Sequence, residues 1–228
     1  MKTLLRYGLY ALTALLALGV AVGLVIHEAR PTGQEGAAAE RLADRMLAAV
    51  DAAAWDTTAY VAWDFAGRHQ FEWRRDVDSV TVRWGDMRVE LHTETVEGSA
   101  YERGVRLDGS AAREAVETAW AHFCNDGFWL AAPFKIRDPG TSRALVKTED
   151  GRDALLVSYG SGGVTPGDAY LWHLGDDGRP ERYEMWASII PVGGLDATWE
   201  DYRELSTGAL VSTRHRIGPV TLTLDVSQ

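Results

Sequence analysis

From Val61 to Leu224 the chain is written largely in a period of two. Val61, Trp63 and Phe65 share one parity and Phe71 and Trp73 return it. Val80, Val82 and Trp84 lead through Gly85-Asp86 into Met87, Val89 and Leu91, which alternate with Arg88, Glu90 and His92. Alternation sends every second side chain to one face, so each segment reads as a strand with one face to bury. Ala66-Gly67, Gly85-Asp86, Asp150-Gly151 and Asp176-Asp177-Gly178 sit between such runs as hairpin turns. Leu155, Val157 and Tyr159, then Tyr170, Trp172 and Leu174, then Tyr183 and Met185, then Leu195, Ala197 and Trp199, and last Val220, Leu222 and Leu224 continue the pattern. The order is a helix, about five strands, a second helix and about six strands. With no strand-helix-strand alternation, the pattern predicts an antiparallel meander. The fold class is therefore mainly β (α+β): a curved antiparallel sheet forming an incomplete barrel, with about two helices over its concave face.

The first helix is predicted from about Ala37 to Ala53, where Leu42, Met46, Leu47 and Val50 form one apolar face. The second begins near Ser110 as its cap and carries Val116, Trp120 and Phe123 at helical spacing. Its end is predicted at Asn125-Asp126-Gly127, with Phe128 to Pro133 as an ordered apolar loop, because glycine stops helices and proline interrupts their hydrogen bonds. This stretch holds five large aromatics between Trp120 and Phe134. They serve either as a plug of ordinary core or as the lining of a cavity.

At the N-terminus, Lys2 and Arg6 precede an uncharged run from Tyr7 to Ile26, long enough to cross about 30 Å of hydrocarbon. Residues 1–29 read as a signal anchor or signal peptide, 30–38 as a linker and 39–228 as one domain. Small residues at Ala21 and Gly23 leave cleavage open. The leading positive charge predicts that the bulk of the chain lies outside the cytoplasm: anchored in the inner membrane facing the periplasm, or periplasmic if the segment is removed. A single cysteine, Cys124, excludes an intramolecular disulfide, and it reads as a small buried hydrophobe. A net charge of -10 argues against nucleic acid as a partner.

Phe123, Asn125-Asp126, Phe128-Trp129-Leu130, Pro133-Phe134-Lys135 and Asp138-Pro139-Gly140 resemble the signature of exported bacterial proteins related to the LolA/LolB-like lipoprotein-carrier superfamily. Val164-Thr165-Pro166-Gly167-Asp168, Trp172, Glu181 to Trp186 and Thr198-Trp199-Glu200-Asp201-Tyr202 are similar as well, so the resemblance covers roughly residues 55 to 218. It implies an incomplete antiparallel barrel whose helix-lidded concave face holds acyl chains. The arginine by which such carriers engage their cargo has no local counterpart here.

The candidate ligand-binding residues are Trp120, Phe123, Phe128, Trp129, Leu130, Phe134 and Lys135, with Trp63, Trp73 and Trp84 from the strands. Lys135 is placed either at a cavity rim facing an anionic headgroup or in an ion pair with Asp126 or Asp138. There is no nucleophile elbow, phosphate loop or zinc-binding helix motif, and the six histidines are dispersed, so no catalytic residue, metal or cofactor is implied. The sequence favours a binding or carrier protein for lipids, lipoproteins or other amphiphiles, reaching the membrane through its N-terminal segment. The alternative is a structural or adaptor protein of the cell envelope with a packed barrel.

Overall fold

The computed structural model describes residues 27–162, 164–190 and 192–228. The apolar run expected to form a membrane helix lies outside them. Among the described residues no helix is long and apolar enough to cross a membrane. Gln34–Glu35 (β1) precedes helix α1, Ala37–Ala49, and a short helix α2, Ala52–Asp56. The single helix expected to Ala53 is broken because Asp51 turns left-handed, at φ 51°, and its Oδ1 accepts the Ala54 N–H at 3.0 Å, starting a new turn.

Tyr60–Phe65 (β2), His69–Arg74 (β3), Ser79–Trp84 (β4), Met87–His92 (β5), Gly98–Glu102 (β6) and Val105–Arg106 (β7) follow as a meander. The turn between β2 and β3 is formed by Ala66 and Gly67, both at positive φ, which is what a tight twisted hairpin requires. Helix α3, Gly109–Ala131, then leads through a 3-10 turn, Ala132–Lys135, into Thr141–Lys147 (β8) and Asp153–Tyr159 (β9). Ala169–Leu174 (β10), Pro180–Trp186 (β11), Leu195–Thr198 (β12), Glu200–Glu204 (β13), Leu210–Ile217 (β14) and Val220–Ser227 (β15) complete the order.

The strands form two antiparallel sheets, not the one expected. Six strands run β1-β8-β9-β10-β11-β12 and nine run β13-β14-β15-β2-β3-β4-β5-β6-β7, and the arrangement is not closed into a barrel. The run from Leu195 to Trp199 ends a strand of one sheet, and the chain enters the other at Glu200. Left-handed Asp201, at φ 52°, sits at this corner. Two bonds hold the seam: His215 Nδ1 donates to the Thr198 carbonyl at 3.0 Å, and the Arg216 N–H donates to Thr198 Oγ1 at 2.9 Å.

Both expected helices lie against sheets. Ala39, Ala43 and Met46 of α1 pack on Leu155, Val157 and Trp172 of the six-stranded sheet. Arg143 fixes α1 from below, donating to Glu40 Oε1 at 2.9 Å and to the Ile136 carbonyl at 2.8 Å. Ala115, Val116, Ala119, Phe123 and Leu130 of α3 enter the core of the nine-stranded sheet with Val61, Phe71, Val82 and Val89. Burial of this kind supplies roughly 1.5–3 kcal/mol per large side chain before the entropy of ordering is set against it.

Two expectations about α3 are corrected. It starts at Gly109, with Asp108 rather than Ser110 at the cap position, and it runs straight through Asn125-Asp126-Gly127 to Ala131. Gly127 stays helical because Phe123 and Leu130 on either side of it are anchored in the core, and it lies under Trp63, whose Cζ2 is 3.5 Å from where a Cβ would stand. Pro133 does not cut the helix, since it falls in the first turn of the following 3-10 segment, where a missing N–H costs nothing.

The segment expected as a linker is laid on the six-stranded sheet. Gly33 sits so close that a Cβ there would meet Ala144 Cβ at 2.7 Å, and β1 pairs with β8. Farther back, Trp186 Nε1 donates to the Glu28 carbonyl at 2.8 Å, and Arg30 bonds Ser158. Residues 27–35 thus form a strap over Val146, Leu156 and Leu171, the apolar cluster on the face turned away from α1.

Candidate functional site

Helix α3 serves both sheets. While Phe123 and Leu130 point into the nine-stranded core, Phe128 and Trp129 reach the other sheet, with ring centroids 4.7 Å from Tyr170 and 5.7 Å from Tyr183 respectively. On that sheet Val157 and Met185 flank Tyr170 in register. Tyr159, Tyr170 and Tyr183 therefore share one face, in a row with centroids 5.8 Å and 5.1 Å apart. Between this row and the Trp120–Cys124–Phe128 side of the helix lies a cavity of about 600 Å³. It runs out to the surface between two loops, residues 160–168 and 187–190, where Ser161, Gly162 and Ile189 are exposed.

Of the residues picked from the sequence, Trp73, Trp120, Phe123, Phe128, Trp129 and Lys135 line this cavity. Trp63, Trp84, Leu130 and Phe134 do not. Trp63 stacks on Phe71 at 4.6 Å inside the core, and Leu130 is fully buried there. Phe134 stacks face to face on Trp55 at 4.3 Å, and Trp84 meets His122 edge-on at 5.3 Å. Their contacts with other core side chains leave them as packing elements. Tyr159, Tyr170, Tyr183 and Asp168 were not singled out in the sequence. The three tyrosines stand on the apolar parity of their strands, but only the register brings them together.

The polar groups of the cavity are few. Asp168 is buried: its Oδ1 accepts the Ser188 N–H at 2.8 Å and its Oδ2 accepts the Tyr170 hydroxyl at 3.4 Å, tying the two lip loops to each other. The Tyr159 hydroxyl has no hydrogen-bond partner among the described residues. Burial holds the Tyr159, Tyr170 and Tyr183 phenols far above the usual tyrosine range, so all three remain protonated donors. Burial likewise pushes the Cys124 thiol up to about 11, which keeps it an unreactive thiol on the cavity wall. At the rim Lys135 is half-exposed and pairs with Asp138 at 2.5 Å, one turn on. Arg137 instead holds Glu40 and Asp44 of α1.

Three further clusters of titratable groups lie outside the cavity lining. His69 Nδ1 is 2.6 Å from Asp126 Oδ2, and the rings of His69 and His122 stack at 3.9 Å. Burial raises the Asp126 carboxyl, with His69 pulling it back, while burial and the His69 charge lower His122. Among the described residues neither ring bonds a serine, threonine or cysteine that could act as nucleophile. His173 pairs separately, with Glu184 at 2.8 Å. His92, Asp78 and Glu94 place donor atoms within 4.8 Å of one another at the end of the β4–β5 hairpin, a grouping with two exposed carboxylates of the kind common on protein surfaces.

No protein-family profile and no curated protein matches the chain. Solved structures similar to it include the following two. A DUF1329 family protein from Desulfovibrio piger shares 13% identity over 83% of this chain and 91% of that one, with a TM-score of 0.40. A putative outer membrane lipoprotein-sorting protein domain from Vibrio parahaemolyticus shares 10% identity over 82% of this chain and 92% of its own, with a TM-score of 0.37. Likeness at this level says nothing about ligand or activity.

Proposed function

We propose that this chain is a binding or carrier protein for a lipid or another amphiphile, held in the cavity between α3 and the six-stranded sheet, and that it carries out no catalysis. The observation that supports this most directly is the cavity itself, about 600 Å³ walled by Trp120, Phe128, Trp129, Tyr159, Tyr170 and Met185. Its size falls within the roughly 300–1,000 Å³ of ligand pockets. Each methylene moved from water into such a space gains about 0.8 kcal/mol, so about ten of them reach micromolar affinity without a specific polar contact. Lys135 at the rim is positioned to exchange Asp138 for an anionic headgroup, a swap that costs little because exposed ion pairs are weak. An envelope location, facing the periplasm, belongs to the same reading.

The test is native mass spectrometry of the purified full chain followed by organic extraction, with titration of a fluorescent fatty acid. A co-purified amphiphile or saturable probe binding is expected. Cys124→Trp, which fills the cavity from the helix side, should reduce probe affinity at least tenfold, the equivalent of about 1.4 kcal/mol, while leaving the circular dichroism unchanged. Protein that is repeatedly empty and does not take up the probe, or a folded Cys124→Trp variant that binds as before, would sink the proposal.

A further inference from the structure

The two lip loops of the cavity differ from the rest of the surface. Residues 160–167, Gly-Ser-Gly-Gly-Val-Thr-Pro-Gly, and residues 187–195, Ala-Ser-Ile-Ile-Pro-Val-Gly-Gly-Leu, contain no charged side chain in a protein whose residues are 25% charged, and the one charged residue of the lip, Asp168, is buried beneath it. Ile189 at the outermost position is 66% exposed and Val164 39% exposed. An uncharged lip with large aliphatic side chains turned to water is an unpartnered apolar surface.

What covers it is indicated by where the N-terminal strap begins. The Gly193 N–H donates to His27 Nδ1 at 3.0 Å, and the Glu28 N–H donates to the Gly193 carbonyl at 2.9 Å. A Cβ on Gly194 would stand 2.6 Å from Glu28 Cβ. His27 is thus fastened to the same loop that carries Ile189, four residues from it. The residue immediately before His27 is Ile26, the last of the uncharged run from Tyr7. A run of that length and composition suits a bilayer core, and the residue that follows it is held at the lip.

We infer that the lip of the cavity docks on a phospholipid bilayer, with Ile189 and Val164 inserted at the headgroup level, and that the strap holds it there. The tether alone would leave the domain free to present any face to the membrane. The hydrogen bonds of residues 27 and 28 to Gly193 remove that freedom. With the lip against the bilayer, an apolar ligand passes between membrane and cavity without crossing water, although the docking itself does not depend on what the cavity holds.

The experiment uses the full chain reconstituted into vesicles of phosphatidylethanolamine and phosphatidylglycerol. In a Cys124→Ala background, single cysteines are introduced by Ile189→Cys, Val164→Cys and Val105→Cys and carry a fluorophore. Val105 is equally exposed, at 68%, and lies at the strand ends away from Thr93 of the cavity wall. Lipids bearing a nitroxide near the headgroup are expected to quench the labels at 189 and 164 several-fold more than the label at 105. Adding Ile189→Asp should lower quenching at 164 without unfolding the domain. Equal quenching at 189 and 105 would overturn the inference. So would label-to-label quenching at 189 that persists on dilution with lipid, which would assign the lip to a second copy of the chain. A purified chain whose mass shows that the first 26 residues are gone would overturn it as well. None of these outcomes bears on probe binding, so the lip and the ligand reading fail independently.

Discussion

His215 is the residue whose chemistry the fold constrains most. It is fully buried at the seam between the sheets, its ring centroid 5.1 Å from Trp129 and 4.5 Å from Trp199, and burial pulls its pKa down to about 4. In the unfolded chain the imidazole takes up a proton below about 6.5, whereas in the folded protein it does so only near 4. Above pH 6.5 the group contributes no pH dependence. As pH falls from 6.5 towards 4 the unfolded state gains the proton first, and folding stability should drop by about 3 kcal/mol through this residue. Urea unfolding at pH 7.5 and pH 4.5 checks this, and in His215→Gln the loss between the two should be markedly smaller. The carboxylates held low by arginine or histidine, such as Glu40 and Glu184, lose their contribution only as pH falls through about 4.5 and below, at the bottom of that window. The sequence alone marked neither this residue nor the tyrosine row, for a common reason. Period-two alternation turns Tyr159, Tyr170 and Tyr183 inward, and the structure alone adds His215. Which inward residues meet depends on register and on the position of the seam, and these are set by partners up to a hundred positions away.

At the scale of elements, helix α3 shows how packing overrides a local signal. Asn125-Asp126-Gly127 has the composition of a helix end, yet the helix passes through it because the flanking Phe123 and Leu130 are both anchored in the core. Glycine inside a helix costs about 1 kcal/mol relative to alanine. A Cβ at position 127 would stand 3.5 Å from Trp63 Cζ2 and 3.9 Å from Phe123 Cδ2, which is ordinary contact distance. Gly127→Ala should therefore stabilise the protein by about 0.5–1 kcal/mol, measured by urea denaturation, and an unchanged or lowered midpoint would show that Trp63 cannot accept the methyl. The hairpins, by contrast, were legible because both determinants are local. Gly85-Asp86 and Asp150-Gly151 supply the turn, and the parity of the flanking residues supplies the face. The aromatic stretch was read as either core or cavity lining, and in the structure its residues divide between the two, with Phe134 and Leu130 on the packed side. The sequence could not divide them, since stacking on Trp55 is a contact across 79 positions in the chain.

For the molecule as a whole, the strap of residues 27–35 covers the outer face of the six-stranded sheet, and its closest approach is at Gly33. A side chain there would collide with Ala144 Cβ at 2.7 Å and the Leu145 carbonyl at 2.9 Å. Gly33→Val should lift the strap, so that a glutamate-specific protease cuts after Glu35 faster than in the parent protein while the fragment beyond it resists digestion. Equal cleavage rates would mean that the strap contributes nothing to protection. A different consequence follows from the place of β15, which lies inside the nine-stranded sheet and pairs Leu224 with Phe65 and Val226 with Trp63. Ribosomes deliver the chain N-terminus first, so the hairpins from Tyr60 to Arg106 emerge early and then wait, with one edge of β2 open, for a strand that begins only at Val220. Pairings of such long sequence separation form slowly, and an open edge recruits other chains in the meantime. This sheet is therefore completed only once β15 has emerged, and the interval before it arrives is when the nascent protein depends most on chaperones.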